Sequence, residues 1–92
     1  MSPLRFQNVR AVLSELQEEP AFKALWDNPD DNAQKFRRAV DRTATLCLLI
    51  DDQAPTVPEI DDHLEHLQSL CVGKLSKFER FIVRAKETLH AG

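Results

Sequence analysis

Glu59, Asp62, His63 and His66 form the one cluster in this chain whose residue types suit metal ligation or proton transfer. Glu59–His63 and Asp62–His66 are spaced by four and His63–His66 by three, so on a helix the side chains meet within about one turn. Histidine and carboxylate together can hold zinc. The order of residues is not the His-Glu-x-x-His pattern of the helical zinc motif, and no cysteine stands at ligand spacing. The expected behaviour is a solvated face with a mild response near neutral pH, and no metal or other cofactor is expected. Ser14, Ser69 and Ser76 have no base beside them, and there is no glycine-rich phosphate loop. The chain is therefore read as not an enzyme.

Charge is distributed unevenly. Residues 1–50 hold seven acids and seven bases. Residues 51–72 hold six acids and no lysine or arginine, and residues 73–92 hold five bases against Glu79 and Glu87. One outcome of this polarity is an acidic arm folded against a basic arm, where exposed pairs contribute only about 0–1 kcal/mol each. The other is two opposed faces that select a partner, with Asp61, Asp62 and Glu65 on the acidic side. Two basic stripes repeat one spacing: Lys35, Arg38 and Arg42, then Lys77, Arg80 and Arg84. Asp31–Lys35 and Arg84–Glu87 are spaced to neutralise them in part.

These stripes support two classes of partner. The first is another protein, with the chain acting as an adaptor, regulator or inhibitor. The second is nucleic acid held on the stripes, which the formal net charge of −3 disfavours. A third role is homodimeric assembly, in which the heptad-like stripe of residues 57–71 pairs with its copy. Pro55–Thr56–Val57–Pro58–Glu59–Ile60 resembles the entry to a helix-turn-helix unit over those residues alone. The helix beyond is too long and its exposed side too acidic, so no family is assigned.

The elements that carry these residues are written in the apolar spacing. Phe6, Val9, Leu13 and Leu16 step by three and four. Ala33, Phe36, Val40, Thr43, Cys47 and Ile50 do the same, as do Val57, Ile60, Leu64, Leu67 and Cys71. Such alternation lines one side of a helix, whereas strands repeat every two residues. Only two glycines occur, fewer than a hairpin-rich fold uses. At 92 residues the chain is expected to be one domain, an all-α compact bundle of four or five mostly antiparallel helices.

Proline and capping residues set the expected boundaries. Ser2–Pro3 starts the first helix, which stops near Glu19 before Pro20. A short helix spans Ala21 to Asp27, and its Trp26 is expected to plug one end of the core. Asn28–Pro29 opens a long helix that reaches toward Pro55. Its part from Ala44 to Ile50 is apolar on nearly every side and is expected to be buried, making this the central helix. A strand at Thr45–Ile50 is the competing reading. Thr56 and Glu59 have capping-box spacing, and that helix runs to about Val72. Gly73 suits a left-handed helix end, with Ser76 and Glu79 capping a last helix. The alternative is one bent helix through Gly73.

Cys47 and Cys71 lie on apolar stripes and are read as free core thiols of a cytoplasmic protein, although a disulfide between their helices is conceivable. No apolar run approaches a membrane span, and the N-terminus lacks a signal-peptide core.

Overall fold

Proline forces the first break. The residue before proline avoids helical backbone, and Glu19 is extended at φ −63°, ψ 131°. A computed structural model describes residues 4–91, which form five α-helices and no strand. Helix α1 (Leu4–Glu18) buries Phe6, Val9, Val12, Leu13 and Leu16. Ser2 and Pro3 lie outside the described residues. Pro20 opens α2 (Pro20–Lys23), which tightens into a 3₁₀ turn, Ala24–Asp27.

Helix α3 (Asp31–Leu46) is capped by Asp30, not Asn28. The Asp30 carboxylate accepts from the Asn32 amide at 3.3 Å, while Asn28 accepts from the Asp30 amide at 2.9 Å. Asn28 thus forms an Asx turn ahead of the helix, and Pro29 falls outside it.

The far end of α3 corrects the expectation for residues 44–50. The helix stops at Leu46, and Leu48 and Ile50 are 52% and 46% exposed. No strand forms there. The amides of Leu48 and Leu49 bond back three residues, and Asp51 adopts a left-handed φ of 56° to turn the chain. Asp51 and Asp52 hold this corner in water, so hydrophobicity alone misplaces it. Nor is α3 central, because four long helices share one core.

Helix α4 (Val57–Leu70) begins with the expected capping box. The Glu59 amide donates to the Thr56 hydroxyl at 3.3 Å, and the Thr56 amide donates to the Glu59 carboxylate at 3.4 Å. Gly73 takes φ 57°, a conformation that costs other residues a Cβ clash, and a break stands there instead of a bend. Ser76 does not cap. Its hydroxyl donates to the Gly73 carbonyl at 2.8 Å within a 3₁₀ segment, Gly73–Phe78, that leads straight into α5 (Glu79–His90). Phe78, Phe81, Ile82, Ala85 and Leu89 are buried.

Cross-helix partners set the topology. Glu15 and Glu19 meet Arg84 and Arg80, while Asp61 and Glu65 meet His90 and Lys86, so α5 runs antiparallel to both α1 and α4. Ala39 and Arg42 of α3 lie beside Asp62, His63 and His66 of α4. Helices α1, α3, α4 and α5 therefore alternate in direction around a ring, each packed on two neighbours. The turns at 19–30 and 71–78 share one end of this bundle.

A phenylalanine triad closes the core there. The rings of Phe36 and Phe78 stack at 5.5 Å, and Phe22 packs edge-on to both at 6.1 and 6.0 Å. Gln34 fastens the 3₁₀ turn to α3 by donating to the carbonyls of Leu25 and Asn28 at 2.7 and 2.8 Å. Buried Thr43 gives its hydroxyl to the Ala39 carbonyl at 2.8 Å.

Candidate interaction surfaces

The antiparallel ring decides which charges meet inside the molecule. Arg84 forms an ion pair with Glu15, and Arg80 reaches Glu19 at 4.0 Å. Both guanidinium groups also lie over the Phe81 ring, at 5.9 and 4.9 Å. The expected Arg84–Glu87 pair is not formed, because α1 offers Arg84 a carboxylate across the helix interface. Lys86 is the base that meets the acidic arm. It contacts Glu65 at 2.9 Å and Gln68 at 3.2 Å. The hydrogen bond to Glu65 raises the Lys86 pKa above its ordinary value. Asp61 is half-buried and faces His90 at 2.9 Å.

The α3 stripe differs. Lys35, Arg38 and Arg42 are exposed, and none belongs to an ion pair among the described residues. Asp31 does not close on Lys35. Arg42 shares a shallow depression of about 210 Å³ with Ala39, Asp62, His63 and His66. The Arg42 guanidinium repels a cation at this spot, and Glu59 is already engaged in the capping box. Among the described residues no three His, Cys, Asp or Glu side chains converge as metal ligands.

Lys77 stands apart from Arg80 and Arg84. It belongs to the 3₁₀ segment, not to α5, with its ammonium 5.5 Å from the Phe78 ring centre. The last-helix stripe is thus two paired arginines and one separate lysine.

Trp26 is the clearest correction to the sequence reading. It does not plug the core and is 66% exposed. Phe22 and Leu25 take the buried positions, because a 3₁₀ turn repeats every three residues and rotates Trp26 outward. The Arg37 guanidinium lies 4.0 Å from the Trp26 ring centre, and its Nε donates to Gln34 at 3.1 Å. The guanidinium thus rests against the ring, which stays largely open to water. A hollow of about 380 Å³ beside it is lined by Gln17, Phe22, Lys23, Trp26, Arg37 and Asp41. The spacing Phe22–Leu25 carried this signal, since a three-residue repeat aligns Leu25, not Trp26, with the buried Phe22.

Helix α4 ends at Leu70, short of the expected Val72, while both cysteines lie in the core as their stripes implied. Val72 is 63% exposed beside the 3₁₀ segment. Cys47 and Cys71 are buried and form no disulfide, and desolvation pushes each thiol up to about 11. Arg10 works slightly against that rise at Cys47, whereas Glu79 adds to it at Cys71. The α3–α4 register puts the two thiols at opposite ends of the bundle, so this fold does not join them.

The stripe of α4 that was a candidate dimer seam is internal: Ile60, Leu64, Leu67 and Cys71 all lie in the core of the single chain. No helix among the described residues is long and apolar enough to cross a membrane. Compared with known proteins, the chain matches no family model, no curated protein and no solved structure.

Proposed function

We propose that the chain is a non-enzymatic protein–protein interaction module, an adaptor, regulator or inhibitor working in the cytoplasm. The observation that carries this reading is Trp26, exposed at one end of the bundle with the Arg37 guanidinium against its ring. A rigid aromatic side chain with an open face supplies contact area at low entropic cost, which is why tryptophan and arginine dominate binding energy at interfaces. The buried, weakly acidic thiols suit a structural role, because the thiolate is the reactive species.

A second reading is nucleic-acid binding, favoured by the unpaired stripe Lys35, Arg38 and Arg42. Pairing of Arg80 and Arg84 with α1 carboxylates takes two of the six bases that this reading requires. A homodimer would need a surface other than the internal stripe of α4.

The test is affinity capture from native lysate with and without nuclease, run with the native chain, Trp26→Ala and the double variant Arg38→Glu/Arg42→Glu. The interaction reading expects a nuclease-resistant protein that Trp26→Ala loses. Recovery that collapses with nuclease and with the α3 double variant replaces it by nucleic-acid binding. A light-scattering mass of a dimer with nothing captured selects the assembly role.

A further inference from the structure

We propose that the groove between the 3₁₀ turn Ala24–Asp27 and the 3₁₀ segment Gly73–Phe78 docks an acidic protein segment through an apolar side chain. The proposal rests on the reading of the chain as an interaction module and adds the chemistry of the partner. The groove encloses about 420 Å³. That is within the range of sites that seat an apolar group. Its floor is Ala21, Ala24, Leu25, Ala33 and Leu75, where three alanines leave the room that larger side chains would fill. Val72 forms part of the wall and is 63% exposed, so an apolar surface stands open to water at this point.

The rim specifies the sign of the occupant. Lys74 and Lys77 line the groove, and neither belongs to an ion pair among the described residues. The one carboxylate in the lining is Asp30, which is occupied in capping α3. Elsewhere in the molecule Lys23, Arg80, Arg84 and Lys86 already hold carboxylates. An apolar floor beneath unpaired ammonium groups is complementary to a leucine-like side chain followed by aspartate or glutamate. The turn that walls the groove also carries Trp26. A segment longer than the groove crosses Ala24–Asp27 and meets that ring, with Lys23 and Arg37 beyond it.

The experiment is a ¹⁵N amide titration of the whole chain with a short synthetic peptide of leucines flanked by aspartate and glutamate. Controls are the same peptide with asparagine and glutamine in place of the acids, and a single-stranded oligonucleotide. The proposal expects saturable shifts at the amides of Leu25, Val72, Lys74 and Leu75. Lys74→Glu/Lys77→Glu, two exposed substitutions, should weaken the peptide about tenfold or more, and so should neutralising the peptide. Shifts that fail to saturate at about 1 mM peptide, the weak end of specific affinity, overturn it. So do shifts indifferent to either charge change, and so does tighter binding of the oligonucleotide at the same amides. Affinity capture separates this outcome from the broader one. A nuclease-resistant partner retained by Lys74→Glu/Lys77→Glu excludes the groove and leaves the interaction reading standing, whereas capture of no partner removes the reading itself.

Discussion

Lys35, Arg38 and Arg42 repeat the spacing of Lys77, Arg80 and Arg84, yet the two stripes have opposite fates. On α5 the arginines lie against Phe81 and meet Glu15 and Glu19 of α1, so their charge is answered within the molecule. On α3 the same pattern is exposed and in no ion pair among the described residues, with only Arg42 reaching the edge of α4, so it keeps its charge for water or a partner. The spacing tells which residues share a face. Only the packing tells what that face looks at. The difference lies in helix order: the side of α5 that carries its arginines borders α1, whereas the α3 bases sit opposite that helix's buried side.

The comparison breaks most completely if the common core is removed. Phe78 joins the segment bearing Lys77 to Phe22 and Phe36, so Phe78→Ala should cost about 3–5 kcal/mol in urea unfolding. A loss below about 1 kcal/mol, the scale of a surface substitution, would mean the triad does not anchor this end. Removing the Thr56 cap acts on α4 alone. Thr56→Ala should cost about 1 kcal/mol and leave both basic stripes unchanged. The sharpest discrimination between the stripes is also the smallest effect. A double-mutant cycle on Glu15 and Arg84 should give a coupling of about 0.2–1 kcal/mol that falls with added salt. The corresponding cycle on Asp31 and Lys35 should give none, since that pair does not close.

The packing beneath both stripes has its own signature in pH. Burial raises the Cys47 and Cys71 thiols from 9.0 to about 11. Between these values the unfolded chain has released protons that the folded chain still holds. This contribution to stability is therefore complete below pH 9 and is lost as pH rises toward 11. Cys47→Ala/Cys71→Ala should flatten that alkaline fall, measured as the urea midpoint against pH. Thiol reagents at neutral pH should modify both cysteines only after unfolding.

Much of the architecture was legible because local signals agreed. Pro20, the Thr56–Glu59 box and Gly73 mark breaks that backbone sterics or capping enforce whatever surrounds them. The stripes of α1 and α4 named buried residues correctly, except for the half-buried Val57. The failures fall where two local rules compete or where the tertiary neighbour decides. Asn28 and Asp30 are both good caps, and the chain path chose the second. Hydrophobicity favoured extending α3 through Ile50, but the turn at Asp51 left Leu48 and Ile50 in water. Ser76 had the right spacing for a cap, yet the 3₁₀ geometry after Gly73 turned its hydroxyl back to a carbonyl. For the surfaces, residue type and exposure of the charged positions were readable. Which bases were answered by acids distant in sequence was not. Trp26 was misplaced because a large aromatic residue is usually core, and a single turn of 3₁₀ pitch sent it outward.

The exposure of Trp26 is the claim on which the functional reading turns, and it has a direct test. Trp26 is the sole tryptophan, and the chain has no tyrosine, so its emission is free of interference. Native fluorescence should lie close to that of free indole in water, be quenched readily by acrylamide, and shift little on unfolding in urea. A blue-shifted, quencher-protected emission that moves strongly to the red on unfolding would place the ring in the core and contradict the account.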